Sequence, residues 1–391
     1  MMADYKRFQA FTPQNKTREE VHRLYGVPHS LYTGIARCYL RTQGIDYIEI
    51  PTSDPDFADR IMPAIQRSII PVLETSEGEI VQDSLDIIDH FEKQGVRYSA
   101  YPDGLLQRVL AVIIQYYGTQ AMLPHAMHYR WTYRDGQEEF LRDQFAAGSG
   151  TAMAEKIMSR MNSYLPQLGV NEHTIPEIEA SYEQLLDTLN AHFAEHPYLF
   201  GGRPSIADYG LIGPMFAHLG RDPVPGNIMK VRAPKVFRWV ERMTAPGLDT
   251  LEFPGYGDQF LADDAMPQTL EPLFRQIADE IFPMLTDKLS FMDGLIAEHQ
   301  PEDGQPVSAK PHQRYVGAVE TSFRGVPVQA GIQPYLLYVL RQGDEMLAEG
   351  SADDQARVRE ALTARGLAEA LPGDRGYTVG RRNHIEVWER R

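Results

Sequence analysis

Residues 25–44, YGVPHSLYTGIARCYLRTQG, decide the fold, because a turn here separates a short apolar strand from an amphipathic helix. Leu31 and Ile35 recur at helical spacing. Gly44 follows as the residue type that ends helices. Ser30 stands at the junction, where a serine either caps the helix or presents its hydroxyl to a ligand. This segment therefore predicts a strand–turn–helix unit with a polar group at its bend.

The neighbouring segments extend this unit into a sheet. Residues 21–26 read as the first strand, and residues 45–52 alternate like a second one. After a loop, residues 69–82 form two apolar runs around a Glu-Gly turn, which is a hairpin signal, and a helix begins at Asp83. The order strand, helix, strand, loop, hairpin, helix is that of the thioredoxin-like α/β fold. Ligands of open α/β sheets bind at the carboxyl ends of the strands, where Ser30 would lie.

The rest of the chain is mainly helical. Long helical periodicity begins near Tyr101 and predicts an all-α second domain. A further helical stretch lies beyond Pro254, followed by a Pro/Gly/Gln-rich linker at residues 300–311. We then expect a hairpin around Arg324, a helix after it, and a terminal strand at residues 384–388.

Composition limits the partners. The 391 residues carry 38 basic and 54 acidic side chains, a formal charge of −16, which repels nucleic acid and anionic membrane surfaces. The most apolar helical stretch is interrupted by polar residues, so neither a membrane span nor a secretory leader is expected. The single cysteine, Cys38, excludes an intrachain disulfide and fits a cytoplasmic protein.

Three separated segments carry a resemblance to a known family. They are residues 25–37, YGVPHSLYTGIAR; residues 68–92, SIIPVLETSEGEIVQDSLDIIDHFE; and residues 199–216, LFGGRPSIADYGLIGPMF. In order and spacing they resemble the cytosolic glutathione S-transferases, of a serine-type bacterial kind with a C-terminal extension.

The resemblance implies three regions. Residues 1–97 would form the thioredoxin-like, glutathione-binding domain, with residues 1–20 as an N-terminal extension. Residues 98–254 would form the helical-bundle C-terminal domain, and residues 255–391 an appended extension of helices and a probable hairpin.

The resemblance also implies an activity. Such an enzyme binds glutathione as a cosubstrate, stabilises its thiolate and directs it at a small electrophile, as in detoxification. It implies a cytoplasmic homodimer that requires no metal. Two alternatives stay open: a non-catalytic binding or interaction module of the same fold, and glutathione-dependent ether cleavage, dehalogenation or peroxide reduction.

Ser30 matches the position that addresses the glutathione sulfur in the family. A thiol with a pKa of about 8.5 is mostly protonated at neutral pH, so its reactive thiolate needs a hydrogen-bond donor. Ser30 would donate its hydroxyl, with Tyr32 as the alternative donor. The competing interpretation makes Ser30 only the cap of its helix.

Five further residues match glutathione-binding positions of the family. Ile70–Pro71 corresponds to a cis-proline junction whose backbone would pair with the cysteinyl unit of glutathione. Asp83 would take the γ-glutamyl ammonium, and Ser84 with the free helix amides its carboxylate. Arg67 would bind the glycyl carboxylate. An ordinary trans proline and a plain Asp-Ser helix cap are the structural alternatives.

The first helices of the second domain would wall the acceptor pocket. On this basis the candidates are aromatic and cationic side chains, namely Tyr116, Tyr117, His128 and Arg130. Core packing explains the same residues equally well. We expect no metal at His125 and His128, since no third ligand is spaced nearby.

Two residues have structural interpretations. Ser205 and Asp208 have the spacing of a capping box and should begin a core helix. Cys38 should pack inside. Relatives that reduce mixed disulfides place a cysteine where this chain has Ser30, so thiol-transferase chemistry is disfavoured.

Overall fold

A four-stranded sheet organises the N-terminal part of the chain. The computed structural model describes residues 17–245 and 251–391. The strands lie in the order β2-β1-β3-β4, where β1 pairs with β2 in parallel and all other pairs are antiparallel. This is the predicted thioredoxin-like arrangement. The elements are β1 His22–Tyr25, α1 Leu31–Gln43, β2 Tyr47–Ile50, α2 Met62–Ile65, β3 Val72–Glu74, β4 Ile80–Gln82 and α3 Ser84–Glu92.

Helix α1 has the bounds that its sequence predicts. The Ser30 side chain accepts a hydrogen bond from the Thr33 amide at 3.2 Å, which satisfies one free donor of the first turn. Gly44 ends the helix in the left-handed conformation, with φ of 69°. The apolar face, including Leu31 and Ile35, is buried. The helix is therefore fixed at both ends beside the sheet.

The segment between β2 and β3, expected as a loop, is helical instead. A π-helical turn at Phe57–Ile61 leads directly into α2. Phe57, Ile61 and Ile65 are buried at a spacing of four residues and form one apolar cluster with sheet residues. That spacing is a helical signal, and Pro63 in the first turn of α2 does not interrupt it.

A helical domain follows, as predicted. Its elements are α4 Leu105–Tyr116, α5 Leu123–Trp131, α6 Glu138–Ser149, α7 Thr151–Asn162, α8 Ile175–His192, α9 Ile206–Ala217, α10 Pro223–Arg232 and α11 Pro234–Thr244. A π-helical turn, Tyr117–Ala121, joins α4 to α5 and packs on α9. A Cβ on Gly118 would lie 2.5 Å from the Gly210 carbonyl oxygen, so glycine permits this close approach.

The capping box at the start of α9 is confirmed. The Ser205 side chain accepts from the helix backbone, and the Asp208 carboxylate accepts from the Ser205 amide at 2.9 Å. Asp208 also accepts from the amide of Leu199 and from the indole of Trp239, both at 3.1 Å. This motif therefore joins the start of α9 to two other parts of the helical domain.

Replacing Ser205 by alanine should lower the free energy of unfolding by about 1 kcal/mol, because a buried helix amide loses its acceptor. Urea unfolding followed by tryptophan fluorescence measures this loss. Ser351→Ala removes an exposed cap from the last helix of the chain and serves as the control. An unchanged unfolding midpoint in Ser205→Ala would contradict the role of the motif.

Residues beyond 254 pack onto both earlier parts. Helix α14, Tyr335–Glu349, lies on α4, and the last hairpin packs on this helix. Buried residues of all three regions form one apolar cluster, so the extension shares the main core. The elements are α12 Glu271–Ile281, α13 Met284–His299, β5 Gly317–Phe323, β6 Val326–Ile332, α14 Tyr335–Glu349, α15 Ala352–Ala364, β7 Tyr377–Arg382 and β8 Ile385–Arg390.

Within the extension, the β5–β6 hairpin, α14 and the terminal strand β8 agree with the sequence pattern, and residues 300–316 are irregular. Strand β7 was not predicted. It pairs with β8 around a two-residue turn, Asn383–His384, in which both residues have positive φ. None of the helices in residues 17–245 and 251–391 has the length and apolar character needed to cross a lipid bilayer.

Candidate functional site

A cavity of about 80 Å³ lies where the thioredoxin-like unit meets the extension. Tyr32, Ile70, Pro71 and Asp83, all candidate residues from the sequence, line its first side. The other side comes from the extension, mainly through Arg314, Gln333, Tyr335 and Glu386. The structure therefore brings most of the proposed glutathione contacts to one place, but that place is walled by residues 307–386.

Tyr32 presents the phenol at this cavity. Its hydroxyl donates to the Thr119 carbonyl oxygen at 3.0 Å and accepts from the Gln120 side-chain amide at 3.3 Å. Burial raises the pKa of Tyr32 to about 12, and the guanidinium of Arg314 acts in the opposite direction. The phenol is therefore protonated at neutral pH and is a donor rather than a base.

Ser30 lies apart from the lining of this cavity. Its oxygen accepts the Thr33 amide, which is the capping geometry that the sequence offered as the alternative. The residue begins α1, one helical position before Leu31 and two before Tyr32. Of the two hydroxyl-bearing residues named from the sequence, Tyr32 lines the cavity and Ser30 does not.

The Ile70–Pro71 peptide bond is cis, as the family pattern implies. Both residues line the cavity just before β3. The backbone at this junction is therefore beside the Tyr32 phenol in the same cavity.

Asp83 begins α3 and is already paired. Its carboxylate accepts the Leu85 amide at 2.9 Å and the Tyr335 hydroxyl at 3.0 Å. Arg381 of β7 lies 3.2 Å from its other oxygen. Ser84, the next residue, is buried at the first position of the helix. Asp83, to which the resemblance assigns the γ-glutamyl ammonium, is thus already paired with the Arg381 guanidinium of the same chain.

Arg67 is paired in the same way. Its guanidinium lies 2.8 Å from the Glu386 carboxylate of β8 and also donates to the His384 carbonyl oxygen and the Gln82 side chain. Arg381 contacts Glu386 as well, at 3.3 Å. The β7–β8 hairpin therefore supplies one cation to Asp83 and one anion to Arg67.

Arg314 differs from these two arginines. It is exposed, lines the cavity, and forms no ion pair with any residue in the described ranges 17–245 and 251–391. Its charge acts on Tyr32. A positive group without a counter-ion thus stands near the phenol.

A second cavity, of about 70 Å³, lies between the α4–α5 corner, α12, α13 and the β5–β6 hairpin. Tyr116, a candidate for the acceptor pocket, lines it. Gln333 lines both cavities, and Gln120 lines the second while bonding Tyr32 of the first. The two cavities are therefore neighbours separated by two glutamine side chains.

The other three acceptor-pocket candidates line neither cavity. The Tyr117 hydroxyl donates to Glu280 at 2.6 Å, and His128 contacts Glu179 at 3.0 Å. Arg130 forms a buried ion pair with Asp222. These side chains thus have the core-packing roles that the sequence left open.

Two expectations about thiol and metal chemistry concern Cys38 and His125. Cys38 is buried as predicted, and burial raises its pKa to about 11, so its thiolate is unavailable at neutral pH. His125 is bonded to the Ser181 hydroxyl at 2.7 Å.

The sequence reasoning missed five residues of the extension that face the two cavities or hold the hairpin: Lys288, Arg314, Tyr335, Arg381 and Glu386. The only available signal was local to the last hairpin, where the Asn-His turn follows a β-prone run and precedes HIEVW. That signal predicts a hairpin, but it does not indicate the surface on which the hairpin lies.

Comparison with known proteins identifies two matching family models. Residues 24–96 match the glutathione S-transferase N-terminal domain, and residues 172–242 match the C-terminal domain. No curated protein matches the chain in sequence.

Solved structures of similar fold share little sequence with this chain. A glutathione S-transferase from Xanthobacter autotrophicus Py2 is 20% identical, covers 58% of this chain and 95% of its own, and has a TM-score of 0.35. The tau-class glutathione S-transferase of mango, Mangifera indica, is 16% identical, covers 65% of this chain and 96% of its own, and has a TM-score of 0.35. The beta-etherase LigF of Sphingobium sp. strain SYK-6 is 16% identical, covers 58% of this chain and 96% of its own, and has a TM-score of 0.42. Residues 24–96 and 172–242 thus match the N-terminal and C-terminal domain models of the glutathione S-transferases, in the order in which these two domains are named.

Proposed function

We propose that this chain is a glutathione-dependent enzyme that activates the glutathione thiol for attack on a small electrophile, with Tyr32 as the hydroxyl donor. One observation carries the proposal: Tyr32, the cis Ile70–Pro71 junction and Asp83 line a single cavity. The residues have the chemistry that the tripeptide requires, namely a donor for sulfur, a backbone edge and a carboxylate for an ammonium group.

The chemistry needs a more acidic thiol. Lowering a thiol pKa by about two units requires roughly 2.7 kcal/mol of preferential interaction with the thiolate. A phenol that turns from the Thr119 carbonyl to the sulfur, the N-terminus of α1 and the unpaired Arg314 guanidinium would together supply it. The thiol proton passes to solvent water as the thiolate forms. A lone pair of the thiolate sulfur then forms the new bond to carbon, and the leaving group departs with the electron pair of the bond that breaks.

Binding of the whole tripeptide requires the hairpin to move. The cavity, of about 80 Å³, is too small to enclose a tripeptide. Asp83 and Arg67, which would hold the two ends of glutathione, are paired with Arg381 and Glu386. We therefore propose that the β7–β8 hairpin covers the glutathione site and must leave it before catalysis.

The same pairing favours a second candidate function, a non-catalytic module that kept the fold. In that case the two hairpin charges would hold the site closed permanently. Ether cleavage, dehalogenation and peroxide reduction stay as alternatives within the enzymatic proposal, since each uses the same thiolate.

Calorimetric titration with glutathione, followed by turnover of a model aryl halide, separates these functions. Binding with turnover supports the enzyme, and binding without turnover of any electrophile class supports the module. If glutathione binds neither the native chain nor a variant with the hairpin charges removed, both proposals fail.

We also propose the region boundaries and the assembly implied by the resemblance. Residues 1–97 would bind glutathione, residues 98–254 would form the helical domain, and residues 255–391 would cover both cavities. The homodimer stays a prediction, which sedimentation equilibrium tests.

Tyr32→Phe should lower kcat/KM for glutathione conjugation about tenfold at neutral pH, because the thiolate loses a hydrogen bond that contributes about 1.5–3 kcal/mol. The Arg314 guanidinium and the N-terminus of α1 would still stabilise the thiolate and limit the loss. The thiol pKa of bound glutathione, read from the thiolate absorbance, should rise in parallel. Ser30→Ala is the matched control and should change kcat/KM by less than about threefold, because a cap affects mainly stability. The reverse ranking of the two variants would restore Ser30 as the donor.

A further inference from the structure

The second cavity has an apolar lining with one unbalanced charge. Leu123, Leu168, Phe323 and Leu336 contribute apolar side chains from four different elements. Lys288 of α13 contributes an ammonium group to the same lining. Such a combination, apolar walls and one charged group, is typical of small-molecule sites, where the polar group fixes the orientation of the ligand.

Lys288 makes no ion pair or hydrogen bond with another residue in the part of the chain that the structure describes. Burial alone lowers its pKa to about 8, so the ammonium still predominates at neutral pH. Taking an ammonium out of water without a partner is unfavourable. This cost falls when a bound anion supplies the missing counter-charge.

The carboxylate of the same cavity wall is already satisfied. Glu280 accepts from Arg324 at 2.9 Å, from Gln276 at 2.9 Å and from Tyr117 at 2.6 Å. Its oxygens are therefore committed to three donors, one on α12 itself and two outside that helix. No acidic side chain within residues 17–245 and 251–391 pairs with Lys288, and a bound anion would supply this missing counter-charge.

We propose that the second cavity binds a small carboxylic acid with an apolar body, whose carboxylate pairs with Lys288 and whose body packs on the leucine and phenylalanine walls. The adjacent first cavity, across Gln333 and Gln120, places this acid next to Tyr32. An electrophile that carries a carboxylate is thus the acceptor class. Calling it the acceptor rests on the proposed function, whereas the binding itself needs no glutathione.

Titration of the full chain with benzoate in the absence of glutathione tests this site. Lys288→Met should weaken benzoate binding about tenfold or more, because a charged hydrogen bond is lost, while Lys288→Arg should keep it within about threefold. Benzamide, which has the same shape without the charge, should bind the native protein about tenfold more weakly than benzoate, and Lys288→Met should leave its affinity unchanged. Lys156→Met, at an exposed position of α7, is the matched control.

Lys288→Met removes a half-buried charge that has no partner within residues 17–245 and 251–391, so its thermal midpoint should equal or exceed that of the native chain, and loss of binding will not reflect misfolding. The site is refuted if benzoate fails to bind at millimolar concentration, if benzamide binds equally well, or if Lys288→Met leaves benzoate affinity unchanged. Glutathione binding measured on the same samples shows separately whether the proposed function holds.

Discussion

Glutathione should bind about a hundredfold more tightly when Arg381 is replaced by methionine and Glu386 by glutamine. Each native side chain neutralises a group that the tripeptide needs, and hydrogen bonds to charged groups contribute about 1.5–3 kcal/mol each. The apparent dissociation constant equals the intrinsic one divided by the fraction of molecules whose site is open, so weakening both contacts raises that fraction and removes most of the penalty.

The geometry explains why these two positions act together. Arg381 of β7 reaches Asp83 at 3.2 Å and the Gln82 carbonyl oxygen at 2.8 Å. Glu386 of β8 reaches Arg67 at 2.8 Å. The hairpin therefore places opposite charges at the two ends of the proposed glutathione site, in the order that an ammonium and a carboxylate of the tripeptide would require. Without these charges, Asp83 and Arg67 lose their counter-ions on the hairpin, and the charged ends of glutathione can replace them.

A matched hairpin variant controls for general loosening. Arg382 pairs with Asp303 at 2.7 Å on the exposed side, and Glu389 pairs with Arg341 at 3.0 Å. Arg382→Met with Glu389→Gln should therefore leave glutathione affinity unchanged. Calorimetric titration gives the affinities, and the thermal midpoint confirms that each variant folds. Equal or weaker glutathione binding in the Arg381 and Glu386 variant would show that the hairpin does not compete for this site.

The N-terminal fold was predictable because its signals are local. Ser30 and Gly44 enclose thirteen helical residues and mark the two ends of α1 in the sequence. The Glu-Gly turn marks the β3–β4 hairpin. Only the helical segment at residues 57–65 was mistaken for a loop, although its buried residues recur every fourth position.

The covering of the site could not be predicted in this way. Arg381 and Asp83 are separated by 298 residues, and Glu386 and Arg67 by 319. An ion pair across such a distance leaves no period or spacing in the chain, and arginine and glutamate are ordinary residues of an exposed strand. Similarly, the choice between Ser30 and Tyr32 depends on which hydroxyl faces the cavity, a property set by how α1 packs against the turn at residues 117–121.

Asp222→Ala should be strongly destabilising, with a loss of about 3–5 kcal/mol, because it leaves a buried guanidinium without its counter-ion. The Arg130 and Asp222 side chains are 3% and 1% exposed and form two parallel hydrogen bonds, of 2.7 and 2.9 Å. Arg130 also donates to the carbonyl oxygens of His29 and Ala217. The pair thus ties the turn before α1 to the end of α9.

Two variants make this prediction specific. Asp187→Ala breaks a pair of similar geometry with Arg232, at 2.8 and 2.7 Å, but on the surface, so it should cost less than about 1 kcal/mol. Arg130→Met combined with Asp222→Leu removes both charges and should recover most of the stability lost in Asp222→Ala, because no unpaired charge remains. Urea unfolding followed by tryptophan fluorescence measures all three. A cost for Asp222→Ala as small as that for Asp187→Ala would mean that water reaches the Arg130 guanidinium and replaces its counter-ion, which would contradict the structural role of the pair.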